Sequence, residues 1–369
     1  MDKLMITGVT GFIGGAVLET IINQNEELNL LLLVRAVDHD TALERVKNNM
    51  RKFNVDEGCL QRLNKSHILL GDLAAPATFL NATELQDVTH VINCAAVASF
   101  GNNPLIEKVN ITGTFEFAKR MNENKNLKRF LHVGTAMSCT PEPDSLVSEN
   151  ASFPQDAEHL VEYTRSKSTI ERLMRENFPQ LPLVIARPSI VVGHTLYGCQ
   201  PSSSIFWVFR MGLMLQKFMC SLDDKIDVIP VDYCANALLM LLESELENGE
   251  IVHISAGEEN SVKFSDIDWA MAQALKAQPV GDRYRQVDYE ALVKMRHQLK
   301  KIFGPCNERL MLKAMRLYGA FAMMNVRFNN EKLLRLGMVK PPKFTDYLSR
   351  CVQTTRELPI PQQMVVDFK

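Results

Sequence analysis

Residues 7–14 read Thr7-Gly8-Val9-Thr10-Gly11-Phe12-Ile13-Gly14. They follow the apolar run Lys3-Leu4-Met5-Ile6 and precede a helical pattern carrying Ile13, Val17, Ile21 and Ile22. A strand, a glycine-rich turn and a helix in that order make a site for a dinucleotide pyrophosphate. Gly8 permits the tight turn, Gly11 lets the backbone approach the phosphates, and Gly14 lets helix and strand pack closely. The N–H groups of the first helical turn then face the negative charge. Three glycines alone suit an ordinary turn equally well; the flanking strand and helix favour the nucleotide.

Outward from this turn, apolar runs at 3–7, 28–34, 67–71, 88–94, 128–134 and 182–187 predict strands, and the amphipathic stretches 12–24, 41–53, 104–123 and 159–177 predict helices. Thr41 and Glu44 have the spacing of a capping box at the second helix. The alternation predicts an α/β fold, a doubly wound Rossmann-type parallel sheet covered on both faces. Beyond Gly193 the pattern loosens. Residues 226–230 and 250–255 predict two more strands around a helix at 232–246, and from residue 258 the chain is helix-rich, basic and Met-rich. The expected organisation is a nucleotide-binding domain of residues 1–188, completed by 226–256. A smaller, mostly helical C-terminal substrate-binding part is expected from 189–225 and 257–369.

The composition narrows the class. With 369 residues, 46% apolar, 23% charged and a net charge of −2, the chain has no overall field to draw it to nucleic acid or an anionic membrane. No apolar run approaches the roughly 20 residues of a membrane span. The first predicted strand starts at residue 3, and no secretory leader is expected. The eight cysteines show no CxxC pairing, and several fall inside predicted strands and helices. That usage predicts reduced thiols in a cytoplasmic protein. The eight histidines are scattered without an HExxH, and no metal site is expected.

The second strand ends Leu32-Leu33-Val34-Arg35. In a nucleotide fold this strand end lies beside the adenine ribose, where an acidic residue suits the free hydroxyl of NAD and an arginine suits the 2′-phosphate of NADP. Arg35 favours NADP(H), and Arg45 on the next helix adds a second guanidinium; the plainer alternative is two solvated surface charges. Asp72, after the third strand, is placed either to accept from the adenine amino group or to form a turn. Ala95 and Ala96 end the fourth strand with side chains small enough for a cofactor to lie against.

Tyr163-Thr164-Arg165-Ser166-Lys167 sets a phenol and an amine four residues apart, on one helical face. A phenol with a reference pKa near ~10 shuttles protons poorly until a cation stabilises its anion. Lys167 is such a cation and can also bond the nicotinamide ribose. Thr135, just past the fifth strand, carries a hydroxyl that can face a carbonyl oxygen near Tyr163.

Together these residues resemble the extended short-chain dehydrogenase/reductases. The resemblance rests on TGxxGxxG, Gly71-Asp72-Leu73, Asn110-Ile111-Thr112-Gly113-Thr114, the Thr135 strand end, YxxxK, and Ala186-Arg187-Pro188-Ser189-Ile190. Leu33-Val34-Arg35-Ala36 with Ala42 and Arg45, and Asp227-Val228-Ile229-Pro230-Val231-Asp232-Tyr233, are similar to the thioester-reductase and fatty acyl-CoA reductase branch. Two positions depart from that branch: Asn93-Cys94 where a histidine is usual, and Gly134 where a serine commonly precedes the threonine.

The resemblance implies Thr135, Tyr163 and Lys167 as catalytic residues. It implies a cofactor set of Gly8, Thr10, Gly11, Phe12, Ile13, Gly14, Arg35, Arg45, Asp72, Leu73, Ala95, Asn110, Tyr163, Lys167, Pro188 and Ile190. The implied activity is NADPH-dependent reduction of an acyl thioester, linked to CoA or to an acyl or peptidyl carrier protein, giving an aldehyde or, further, an alcohol, in a monomer or homodimer. Two other readings stay open: the same machinery acting on a sugar nucleotide, sterol or small ketone, and a sensor that binds NADP without turnover. The runs Ile205-Phe206-Trp207-Val208-Phe209 and Ala320-Phe321-Ala322-Met323-Met324 suit an acyl chain, or simply a core.

Overall fold

A computed structural model of the chain describes residues 2–24, 27–101, 103–149 and 157–367. Its frame is a seven-stranded parallel sheet: β1 (Leu4–Thr7), β2 (Leu30–Val34), β3 (Ile68–Leu70), β4 (His90–Asn93), β5 (Arg129–Val133), β6 (Leu183–Pro188) and β7 (Glu250–Ile254). The spatial order is β7-β6-β5-β4-β1-β2-β3. The order reverses between β1 and β4, so the crevice above their carboxyl ends is the switch point at which such sheets bind ligands.

The strands are predominantly apolar because both faces are covered. Met5, Leu31, Val91, Phe130 and Ile185 enter the core on one face. Their neighbours Ile6, Leu32, Ile92, Leu131 and Val184 enter the core on the other. Helices α1 (Phe12–Gln24) and α2 (His39–Lys52) contribute to this second core. Helices α3 (Thr114–Asn122) and α4 (Glu162–Asn177) contribute to the first. Beyond the sheet lie α5 (Phe206–Leu215), α6 (Val231–Leu242), α7 (Phe264–Leu275), α8 (Glu308–Ala322) and α9 (Phe344–Thr355). Apart from α6, which covers the sheet, these helices build two further apolar cores, one around Trp207 and Met315, the other around Phe344 and Phe209.

Three local expectations change. The cap of α2 is Asp38, whose carboxylate accepts from Thr41 N–H at 2.7 Å, so Thr41 is the receiver of a cap and not its source. Segment 226–230 does not join the main sheet: Val228–Ile229 pair with Ile190–Val191, and Lys225–Ile226 pair with Val262–Lys263. The helix expected at 104–123 opens with wide π-type turns over Ile106–Gly113. There Gly113 presses so closely on the Leu73 carbonyl that a Cβ would overlap it. No helix among the described residues is long and apolar enough to cross a membrane.

Candidate active site

The glycine turn is held from three sides. Gly8 sits at φ +71°, and a Cβ there would come within 2.8 Å of Ala95 N. A Cβ on Gly14 would overlap the Gly8 carbonyl oxygen, so the first turn of α1 seats directly on β1. Asn49 of α2 donates its amide to the carbonyls of Val9 and Gly11, both at 3.1 Å. Thr7 Oγ1 accepts from Ala95 N–H at 3.0 Å and donates to Asn93 Oδ1 at 2.6 Å. The result is a groove whose glycine positions leave the backbone bare, which fits a pyrophosphate.

One continuous cavity of about 700 Å³ starts at this groove. Gly8, Thr10, Gly11, Phe12, Ile13 and Gly14 line its floor. At one rim stand Arg35, Arg45, Asp72 and Leu73. Arg35 is exposed and lies 3.7 Å from the Asp72 carboxylate. Arg45 reaches back to donate to the Arg35 carbonyl, so two guanidinium groups share the end of β2. Asp72 also accepts from Ala74 N–H at 2.9 Å, so it forms the turn as well as bordering the cavity.

Farther in, Ala95, Thr135, Tyr163, Lys167, Pro188 and Ile190 line the wall. Helical spacing on α4 brings Tyr163 and Lys167 to one face, and the end of β5 delivers Thr135. Burial, reinforced by the Glu171 carboxylate, pushes the Tyr163 phenol up to about 12. Lys167 is buried and donates Nζ to the Val133 carbonyl at 2.7 Å. Burial brings its ammonium down to about 8, against the opposing pull of Glu171 and Cys94. Thr135 Oγ1 accepts from Met137 N–H at 3.3 Å, capping the short turn Ala136–Cys139.

Asn110 departs from expectation, because it does not line the cavity. Its side chain accepts from Val97 N–H at 2.7 Å and donates to Val97 O and Ser166 Oγ at 3.1 and 3.0 Å. With both ends of its amide bonded, it braces the loop after β4 against α4. Asn93, one of the two departures from the branch, is likewise inside the wall: its amide reaches His132 Nδ1 at 3.2 Å.

Past Tyr163 the cavity continues into an arm lined by Val208, Phe209, Leu213, Phe264, Ile267 and Phe321 among others. The apolar runs at 205–209 and 320–324 divide between both roles. Ile205, Val208, Phe209, Phe321 and Ala322 line the arm, while Phe206 and Trp207 are buried in the cores. Phe218, Cys220 and Tyr284 also line it, and no spacing in the sequence marked them. Phe218 lies on the two-residue ladder Lys217–Phe218 with Arg285–Gln286, and Cys220 and Tyr284 flank it, a pairing too short for a periodicity to show.

Residues 6–238 match the male sterility protein family. The chain belongs to that family. It is a member of the extended short-chain dehydrogenase/reductases, with their NAD(P)-binding Rossmann fold, on the thioester-reductase and fatty acyl-CoA reductase branch. A relative in Drosophila melanogaster, fatty acyl-CoA reductase wat, is 27% identical over 286 residues, 64% of this chain and 53% of that protein. The chain therefore spans about half the length of that relative. Among solved structures, the terminal R domain from the myxalamid PKS-NRPS biosynthetic pathway is similar with a TM-score of 0.76 at 20% identity, covering 96% of this chain and 91% of that one. UDP-glucuronic acid 4-epimerase from Bacillus cereus, in complex with NAD, gives a TM-score of 0.64 at 17% identity, covering 96% and 99%.

Proposed function

We propose that this protein is an NADPH-dependent reductase that converts an acyl thioester to an aldehyde. The observation that carries the reading is the continuity of the cavity. It runs from the glycine groove, past Tyr163, Lys167 and Thr135, into an arm on whose walls, from Ser202 to Ala322, no charged side chain stands among the described residues. An apolar acyl chain fits such an arm. A nucleotide sugar, the alternative that the epimerase likeness brings forward, finds no cation among the described residues there to meet its diphosphate.

Gly8, Gly11 and Gly14 hold the pyrophosphate of the cofactor, and Arg35 and Arg45 favour the 2′-phosphate. When bound, NADPH supplies the hydride that adds to the thioester carbonyl carbon. The Tyr163 hydroxyl donates its proton to the carbonyl oxygen, and Thr135 offers that oxygen a second hydrogen bond. The Lys167 ammonium stabilises the phenolate left on Tyr163. The carbon–sulfur bond then breaks: the oxygen's proton is lost as the carbonyl re-forms, and the thiol leaves protonated. Residues 1–188, completed by 226–256, carry the cofactor half, and 189–225 with 257–369 carry the acyl half. The thiol belongs to CoA or to a carrier protein.

The test is to incubate the purified protein with NADPH and separate panels of acyl-CoAs, carrier-linked acyl groups and nucleotide sugars, following NADPH oxidation and identifying products. Aldehyde release from thioesters supports the reading. Turnover of nucleotide sugars alone, or tight NADPH binding without any turnover, overturns it.

A further inference from the structure

Tyr163, Lys167 and Glu171 stand four residues apart along one face of α4. The reaction above uses the first two and leaves the third without a task. Glu171 is 2% exposed. Its Oε2 accepts from Arg187 Nε at 3.0 Å and Nη2 at 2.6 Å, the arginine coming from β6 and being 4% exposed. Its Oε1 has no hydrogen-bond partner among the described residues. That oxygen occupies the space where a side chain at residue 134 would begin, so a Cβ on Gly134 would overlap it. Gly134 is itself a wall residue of the cavity, between Val133, whose carbonyl holds Lys167, and Thr135. The glycine that departs from the branch and the buried carboxylate are therefore two halves of one arrangement.

A buried ion pair is weak support for a fold, since apolar residues of the same volume serve as well or better. A buried carboxylate oxygen left unbonded adds a further cost. An arrangement that costs stability here is explained by what it faces. Around Lys167 stand Tyr163 and Glu171, one turn to either side on its own helix; the charge of Glu171 and the Cys94 thiol of the loop after β4 act on it, it acts in turn on His132 from β5, and Arg187 from β6 pairs with Glu171. Burial pushes the Cys94 thiol up to about 12 and holds His132 well below its ordinary value, so both are neutral at neutral pH. Among these groups the acidic side chain is Glu171, paired with Arg187 at 2.6 Å.

We propose that Glu171 is a positioning residue for the reaction: its carboxylate, admitted by the missing side chain at 134 and oriented by Arg187, stands one turn beyond Lys167 on α4 and favours the charged lysine beside Tyr163. The proposal rests on Tyr163 and Lys167 being the proton-transfer pair. It deepens that assignment by giving the pair a direction, since a charged lysine beside a protonated phenol is set to give a proton and not to take one. The geometry also couples position 134 to 171. Gly134→Ala pushes the carboxylate aside and acts on Lys167 in the same sense as removing the charge.

The test follows the titration of Lys167 directly, in the full chain without cofactor, by NMR of protein labelled with [ε-13C]lysine. The signal is assigned by its loss in Lys167→Arg. Glu171→Gln is expected to lower the Lys167 midpoint by about one pH unit, and Glu171→Asp by less. Gly134→Ala is expected to lower it as well. Circular dichroism checks that each variant is folded; if Glu171→Gln is not, Glu171→Asp and Gly134→Ala carry the test. An unchanged midpoint in the folded variants overturns the proposal. In the reaction, the alkaline limb of the kcat profile is expected to move to lower pH in Glu171→Gln, which a purely structural role would not produce. Because the titration needs no substrate, failure to reduce any thioester would remove the proposed function and leave the lysine result standing. A static midpoint with thioester turnover intact would remove only the role of Glu171.

Discussion

Glycines line the cavity at both of its ends, and they do different things there. At the cofactor end, a Cβ on Gly8 or Gly14 runs into backbone, at Ala95 N or the Gly8 carbonyl oxygen. At the acyl end, a Cβ on Gly212 of α5 meets only the Phe218 side chain, at 3.6 and 3.7 Å, an ordinary van der Waals separation. The first end is shaped by main chain that cannot retreat; the second is shaped by side chains at ordinary contact distance. Phe100 joins the two, with its ring 6.2 Å from that of Tyr163 and 5.4 Å from that of Phe321. The lesson is that backbone fixes one wall of the cavity, whereas side chains make the other, the wall that the proposed function assigns to the acyl group.

The largest effect is expected where the two ends meet. Tyr163→Phe removes the proton donor and keeps the ring, so turnover should fall by about 10²–10⁴-fold with NADPH affinity retained. A stopped assay for aldehyde, with cofactor binding read by fluorescence, checks it; undiminished turnover would break the assignment. Next in size is the paired glycine test. Gly8→Ala should weaken NADPH binding by at least roughly tenfold, because the positive φ and the close approach of Ala95 both oppose a methyl. Gly212→Ala should leave cofactor binding alone. Gly212→Phe should cut kcat/KM for long acyl chains relative to short ones by roughly 10–100-fold, the range expected when a pocket loses a few methylenes of space. Equal effects of the two alanine variants on NADPH binding would erase the comparison.

A smaller change is expected at the rim. Arg35 is 68% exposed on its side chain, so solvent screens whatever it binds. Arg35→Glu should lower the preference for NADPH over NADH by roughly tenfold, less than a buried guanidinium would give. Measuring kcat/KM with both coenzymes settles whether the arginines at the end of β2 read the phosphate.

The same contrast explains how much could be read without coordinates. All seven strands of the sheet stood out as apolar runs because both faces are buried, and the glycine spacing marked the groove because backbone geometry dictates residue type there. The Tyr163–Lys167 pair was visible because both lie on one helix. Asn110 was misplaced because its motif gives its position and not the direction of its amide, which turns to Val97 and Ser166. The link from Gly134 to Glu171 was invisible, since a glycine announces only a missing side chain and not what fills the space. The acyl arm was the least legible part. Its lining comes from short ladders and from helices whose apolar faces read as core whether they enclose a ligand or one another.

The smallest expected effect concerns how the thiol end is recognised. Lys294, Lys300, Lys301, Arg309 and Lys313 are exposed and form no ion pair with another described residue, whereas Arg296 is spent on Glu308 at 3.1 Å and Arg316 lies over the Tyr289 ring. Arg309 and Lys313 sit on α8, the helix whose inner face sends Tyr318, Phe321 and Ala322 to the acyl arm. Basic charge therefore stands on the outer face of an element that lines the cavity, where it can meet the phosphates of CoA or an acidic carrier protein. Lys300→Glu with Lys301→Glu should raise KM by about threefold at low salt, with kcat unchanged and the effect fading as salt is added, since rim charges act on encounter and are screened. A carrier covers more surface than a pantetheine arm, so a rise for carrier-linked substrate without one for CoA assigns the face to a protein partner. A rise for both assigns it to phosphate, and no rise for either reduces it to a solvated helix surface.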